Sequence, residues 1–429
     1  MPANIVRTNA EASDRRAPPV NLRPEDLASQ VVIVLGLGVT GLAVVRSLVA
    51  AGIRVYGVSF SRLEPGRVTR LCTVIDRPQL DSHGAELCDW LRDFAGQLGS
   101  RPIVFPTSDD VALALASHSV ELRASCRIWQ SGKHHLEMLV RKDKLYGIAS
   151  RAGVSIPPTL ISPRLGELRE WCLLNPAPYL VKPYYASHPN AECIGKNAVF
   201  ETATDMLEFL ERIKNQASGM IIQQVIAGGD GWIFDCYGLC DRNGDVKTMI
   251  THRRVRQYLP NFGITCFGEI PADPVDCGRD EIFRLTERIL GQVHYHGIFG
   301  IEWLQDRDTK RLFLLDVNAR PFYTIGHLRD CGVDLPVLAV RELLGDDLND
   351  LEPRPDVKPM SWIDLGHDLG TMFRTRHVAE AGFLQWAASA LKCRSYALWS
   401  SRDPMPAIRA LFDSFLSVIR NLCNSLPKR

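Results

Sequence analysis

Several patterns are absent from this 429-residue chain, and each absence removes a class of protein. The 12 cysteines include no C-x-x-C pair and keep no regular spacing, and no secretory signal is visible. Free thiols in a reducing, cytoplasmic setting are therefore expected, and a disulfide framework or a zinc site is not. No apolar run reaches the roughly 18–20 residues of a membrane-spanning helix, so no integral membrane segment is expected. Neither sign of charge dominates, with 50 Lys and Arg against 49 Asp and Glu. That balance speaks against nucleic acid or a membrane surface as partner. There is no G-x-x-x-x-G-K-[ST] loop, no protein-kinase H-R-D pattern and no G-x-S-x-G nucleophile elbow. Internal repeats are also missing.

What is present centres on two apolar runs, Gly297–Leu304 and Leu312–Pro321, joined by the polar stretch Gln305–Arg311. This pattern predicts a β-hairpin. Glu302 falls in its first strand, and Asp316, Asn318 and Arg320 are spaced two apart in the second. Side chains alternate across a strand, so those three share one face. Two carboxylates, an amide oxygen and a guanidinium in one place suit Mg²⁺ carrying a nucleotide's phosphates, with arginine as a fork for oxyanions. For the motif in isolation, a surface hairpin with hydrated charges is the plainer alternative.

The remaining chain supplies further candidates. Residues 1–30 show no periodicity and read as a mobile lead-in. Val31–Leu35, the G-x-G-x-x-G turn Gly36–Gly41, a helix through Ala51 and the strand Ile53–Val58 form a βαβ start. No acid closes the second strand; Ser59–Arg62 stands there, which leaves NADP binding as an open alternative to simple turn geometry. The strand Pro102–Pro106 leads to Ser108 and Asp109, which serve either as substrate contacts or as helix caps. Tyr179–Pro183 puts Lys182 at the end of an apolar strand, where an ammonium needs an anion or a route to water. Tyr184–Asn197, with His188 and Lys196, reads as a flap. Met220–Asp230 is a strand that breaks at two glycines and so offers bare backbone to a flat heterocycle. Arg254 and Arg256 share a face if Thr251–Tyr258 is extended. Asp346–Lys358 reads as a linker. Ile408, Leu411, Phe412, Phe415, Ile419 and Leu422 form one apolar helical stripe, expected to dock on the main body.

In this order the pieces resemble the ATP-grasp superfamily over roughly residues 31–345, and more nearly its D-aspartate ligase-like carboxylate–amine ligases. The resemblance rests on Lys144, Lys182, the Gln223–Asp230 strand and linker, Glu302, Asp316-x-Asn318-x-Arg320 and the segment Arg253–Gly263. It implies a mixed α/β and α+β architecture. A Rossmann-like domain over 31–130 would precede a small subdomain over 131–228 and a large metal-binding subdomain over 229–345. A linker and small helical extension over 346–429 would follow. It further implies that Lys144 and Lys182 bind ATP phosphates, and that Gln224 C=O and Ile226 N–H hold the adenine edge. Gln223 would flank that edge, and Asp230 would stand in for the ribose ligand. Glu302, Asp316 and Asn318 would hold Mg²⁺ or Mn²⁺, and Arg320 with Arg254 or Arg256 would steady the transferring phosphoryl group. The implied substrates are a small carboxylate and an amine, joined as an amide. A nucleotide-binding scaffold with little chemistry is the alternative, because Asp316 replaces the usual glutamate and the flap is poor in glycine. The sequence fixes no oligomeric state; a homodimer is the commonest assembly.

Overall fold

A computed structural model describes residues 23–77, 84–162, 164–184, 197–213, 219–259, 261–374 and 377–413. Most of the expected lead-in, residues 185–196 of the expected flap and the tail beyond 413 lie outside the described residues. Among the described residues the strands form three sheets.

The first sheet is parallel, in the order β3 (Thr73–Asp76), β2 (Arg54–Ser59), β1 (Val31–Leu35), β4 (Ile103–Pro106). The uninterrupted apolar run of β1 suits a strand covered on both faces. Val32 and Val34 pack with the helix Val39–Ala50, while Ile33 and Leu35 pack with the helix Ala85–Leu98. The second sheet is antiparallel, in the order β5 (Thr159–Ile161), β8 (Met220–Gln224), β6 (Tyr179–Pro183), β7 (Ala198–Phe200). The helix Ala203–Arg212 covers it through Met206 and Leu210.

The third sheet is the largest. Its order is β13 (Leu312–Asn318), β12 (Gly297–Gln305), β9 (Ile233–Cys240), β10 (Val246–Tyr258), β11 (Ile264–Ile270), β14 (Met360–Ile363), β15 (Ser395–Tyr396). All pairings are antiparallel except β14 with β15. Phe299, Ile301 and Trp303 of β12 turn one way, into a core with the helices Gly278–Gly291 and Lys142–Arg151. Tyr237, Leu239, Ile250 and Ile298 turn the other way and share a core with Val32, Val34 and Phe105. The N-terminal domain is thus seated on the large sheet through continuous apolar packing.

The segment after residue 345 carries the expected helices, Leu365–Arg374 and His377–Lys392, and also adds β14 and β15 to the large sheet. The stretch expected as a linker is tied down: Met249 N–H donates to Pro353 C=O, and Arg354 pairs with Asp280 and Glu287. Of the apolar stripe at the C-terminal end, Ile408, Leu411 and Phe412 are exposed, so docking through them is not what the described residues show. Phe415, Ile419 and Leu422 lie outside those residues. No helix among the described residues is long and apolar enough to cross a membrane.

Candidate active site

The expected hairpin is formed, with β12 and β13 in antiparallel register. Three acids lie side by side across its neighbouring strands: Asp235 of β9 is paired with Glu302 of β12, and Glu302 with Asp316 of β13. Like charges directly opposite one another destabilise a sheet, so this row requires cations. Arg254 of β10 supplies one, donating to both Asp235 oxygens at 3.0 and 2.6 Å and lying 2.7 Å from Glu302. Lys142 supplies another, with its ammonium 2.7 Å from Asp316.

A β-bulge decides which way the second strand's acid points. Glu302 pairs with Asp316 but Trp303 pairs with Leu314, so Leu315 is the extra residue. Leu312 and Leu314 face the core before the bulge, and Val317 faces it afterwards. The parity shift turns Asp316 and Asn318 away from that core and into a cleft. Asn318 reaches both neighbours: its Nδ2 donates to Glu302 at 3.3 Å, and its Oδ1 accepts from Arg320 at 3.1 Å.

The cleft has a volume of about 1010 Å³ and is bounded by the second and third sheets and, from the N-terminal domain, by Thr40 and the loop and helix that follow β4. Glu302, Asp316, Asn318, Arg320, Arg254, Lys182, Gln223, Gln224 and Ile226 line it. Asp109, at the start of the helix after β4, also lines it and binds Arg320 at 2.8 and 3.2 Å. Ser108 instead caps that helix, accepting from Val111 N–H at 3.4 Å.

Lys182 sits deep in the cleft, 7% exposed, and donates to the Tyr146 hydroxyl at 3.1 Å. Burial, and next the nearby Lys142, lower its ammonium to about 7. Such a group gains from an incoming anion. Burial works against the Asp316 carboxylate, yet Lys142 and Lys182 hold it below its ordinary range. Burial likewise opposes charge on Asp235, and Arg254 with His252 overrides it. Gln223 donates to Tyr146 and Thr159 and so fixes the Lys182 partner. At the strand end, Val225 N–H is taken by Pro178 C=O at 2.9 Å, whereas Ile226 N–H has no partner among the described residues.

Three expectations are corrected. Lys144 does not line the cleft; it pairs with Glu137 at 2.6 Å. Lys142 points there instead, because residues two apart on a helix face different ways. Arg256 does not share a face with Arg254. Arg254 pairs with Gly268 and Arg256 with Phe267, which makes Val255 a second bulge residue. Arg256 consequently binds Asp368 at 2.8 and 2.7 Å and lies over the Phe267 ring, away from the cleft. Asp230 is a loop clasp: it accepts from the backbone and side chain of Gln257 and from Asn261 N–H. Gly229 lies beside it at φ +110, and a Cβ there would meet Asn261 Oδ1 at 2.1 Å.

The G-x-G-x-x-G turn is filled from within. Glu64 accepts from Leu37 N–H at 2.9 Å and from Phe60 N–H at 3.2 Å, so a carboxylate already sits where a dinucleotide's phosphates would go. Burial raises its pKa.

No protein-family model matches the chain, and no curated protein matches it in sequence. Solved structures do match. N5-carboxyaminoimidazole synthetase from Staphylococcus aureus is 16% identical, with 82% of this chain and 87% of that chain covered at a TM-score of 0.61. A biotin carboxylase–β,γ-ATP complex from Campylobacter jejuni is 14% identical, covers 77% and 74%, and has a TM-score of 0.63. L-amino acid ligase from Bacillus licheniformis is 14% identical, covers 77% and 79%, and has a TM-score of 0.57. The fold is therefore the ATP-grasp fold behind a Rossmann-like domain.

Proposed function

We propose that the protein is an ATP- and Mg²⁺-dependent carboxylate–amine ligase. The observation that carries this reading is the pair of carboxylates Glu302 and Asp316, set among Lys142, Lys182, Arg254 and Arg320 in one cleft, with the buried Asp235 next in the row anchoring Arg254. The donor set fits a hard cation, with two carboxylates and one amide oxygen. Glu302, Asp316 and Asn318 would hold Mg²⁺ or Mn²⁺, which would neutralise phosphate oxygens during transfer.

The chain's own groups do the rest. Lys142 and Lys182 bind the phosphates. Arg254, its Nε–Nη2 fork held by Asp235, turns its remaining N–H groups and its charge to the transferring phosphoryl group. Arg320, steadied by Asp109, holds the substrate carboxylate and then the acyl phosphate. The substrate carboxylate oxygen attacks the γ-phosphorus and ADP leaves. An amine then attacks the acyl carbon, forming the amide and releasing phosphate. No protein nucleophile is needed, so positioning and electrostatics supply most of the acceleration. The adenine rests against Gln224 and the free Ile226 N–H. The D-aspartate ligase-like assignment is supported by Arg253–Gly263, because Arg254, Gln257, Asn261, Phe262 and Gly263 of that segment all border the cleft.

The test is ADP release across pooled amino acids and amines with ATP and Mg²⁺. Release that requires both a carboxylate and an amine is expected; no release together with no ATP binding would end this reading. A second reading, a nucleotide-binding scaffold, draws on the two metal-ligand carboxylates being already paired with Lys142 and Arg254. ATP binding by calorimetry without turnover would favour it.

A further inference from the structure

One polar cluster beside the cleft has no part in phosphoryl transfer. Tyr323 lines the cleft just beyond Arg320, and its hydroxyl donates to Asp364 Oδ2 at the end of β14. The same hydroxyl is 3.3 Å from His367 Nδ1. His367 Nδ1 is 2.9 Å from Asp364 Oδ2, and His367 backbone N–H donates to Asp364 Oδ1 at 3.2 Å. The Asp364 side chain is 4% exposed, the imidazole 39%. His367 Nε2 makes no hydrogen bond among the described residues. The ring also packs on Tyr258, with centroids 4.7 Å apart, at the end of the strand whose next residues border the cleft.

A buried carboxylate on one imidazole nitrogen fixes the ring and places the proton on Nδ1. The lone pair of Nε2 is then directed outward, which is the arrangement of a base oriented by an acid. Amide formation needs such a group. An amine attacks only as its free base, and its nitrogen must shed a proton as the C–N bond forms.

We propose that His367, joined to the cleft through the cleft-lining Tyr323, is the base that takes this proton, with Asp364 and Tyr323 as positioning residues; the proposal rests on the ligase reading above. The amine lone pair forms the C–N bond, and the acyl C–O bond breaks. The departing phosphate keeps that electron pair, and the nitrogen's proton passes to Nε2 and from there to water at the exposed ring edge. The hydrogen bond that Nδ1–H donates to Asp364 raises the imidazole's pKa against the opposing effect of burial, which strengthens it as a base. Asp364 is the charged group that faces the ring; Tyr323 presents its hydroxyl and Tyr258 its ring face, and Asp368 of the same helix is bound by Arg256.

The experiment compares two small probe nucleophiles, hydroxylamine and ammonia, with ATP, Mg²⁺ and pooled amino acids as carboxylates. Hydroxylamine is unprotonated at neutral pH and reactive enough to trap an acyl phosphate as a hydroxamate with its proton lost to water; free ammonia, the weaker nucleophile, depends on assisted proton removal. His367→Gln should lower ammonia-dependent amide formation by about 10²-fold or more and leave hydroxamate formation within about threefold. Amide formation by wild type, expressed per free ammonia at each pH, should rise through the imidazole's titration, and His367→Gln should lack that limb. Asp364→Asn should move the limb to lower pH, a change that a purely structural role would not produce. Equal losses with both nucleophiles, or no loss with ammonia, would overturn the proposal. A wild-type protein that forms no hydroxamate with any carboxylate would overturn the ligase reading and this proposal with it.

Discussion

Lys142 and Lys144 are two residues apart and chemically alike, yet only one faces the cleft. Removing the Lys142 charge in Lys142→Met leaves Asp316 without its ion-pair partner and takes a cation from the phosphate path. ATP binding should weaken by about tenfold or more, corresponding to ~1.4 kcal/mol. Lys144→Met breaks a partly exposed pair with Glu137, worth at most about 1 kcal/mol, and should bind ATP like wild type. Calorimetry on both variants checks the pair; equal weakening would return the role to Lys144. Asp316→Asn keeps volume and removes one formal charge. The fold should survive, and turnover should fall by roughly 10²-fold, about 2.7 kcal/mol of transition-state stabilisation. Raised Mg²⁺, or Mn²⁺, should restore part of it. Wild-type turnover at limiting Mg²⁺ would remove Asp316 from the metal site. The acids were legible in sequence because an apolar strand seldom carries them without cause. The lysine was misread because a helix start two residues long has no periodicity to fix its phase.

At the level of elements, two bulges do what strand alternation alone cannot. Asp316 and Asn318 are two apart with no bulge between them, so their shared face could be read directly. Arg254 and Arg256 are also two apart, but Val255 is inserted between them and the inference fails. Nothing in the residue types announces a bulge, since its cause is pairing with a distant strand. The consequence is separable by mutation. Arg254→Lys loses the fork that spans Asp235 and Glu302 and should reduce turnover by roughly 10²-fold with the fold retained. Arg256→Ala leaves the fully buried Asp368 carboxylate short of its bidentate partner, which costs about 3 kcal/mol. Its urea midpoint should fall while activity per folded molecule stays near wild type. Lost activity in Arg256→Ala without lost stability would contradict this division of roles. The glycine-rich turn shows the same gap between pattern and outcome. Its spacing allowed a dinucleotide, and Glu64, 23 residues beyond Gly41, fills the site from another loop.

For the whole molecule, the cleft is made where the second and third sheets meet the loop and helix after β4, so its shape depends on how the N-terminal domain is held against the large sheet. Apolar packing supplies part of that attachment, and a buried polar tie from the C-terminal region supplies another. Asp403, 2% exposed, accepts from Arg46 at 3.3 Å, from Thr69 Oγ1 at 2.8 Å and from Arg70 N–H at 3.3 Å. Arg46, 6% exposed, also donates to the carbonyls of Leu398 and Asp403. Residues more than 330 positions apart in sequence meet here, and no local pattern could have signalled it. The C-terminal segment thus runs from the outer edge of the large sheet back to the helix Val39–Ala50 that follows β1. Asp403→Ala would leave the Arg46 guanidinium buried without its counter-charge, at a cost of about 3 kcal/mol. Unfolding of a chain of this size need not be a single step, so the effect should appear in the transition that reports the N-terminal domain. Proteolysis in a urea series, followed through fragments of residues 23–130, would detect it. Asp403 lies outside the cleft lining, so turnover of the folded variant at low temperature should match wild type. Destabilisation with preserved turnover is the expected result. A loss of turnover at full stability would instead place Asp403 in the chemistry, and the C-terminal tie would then have to be understood as part of the site.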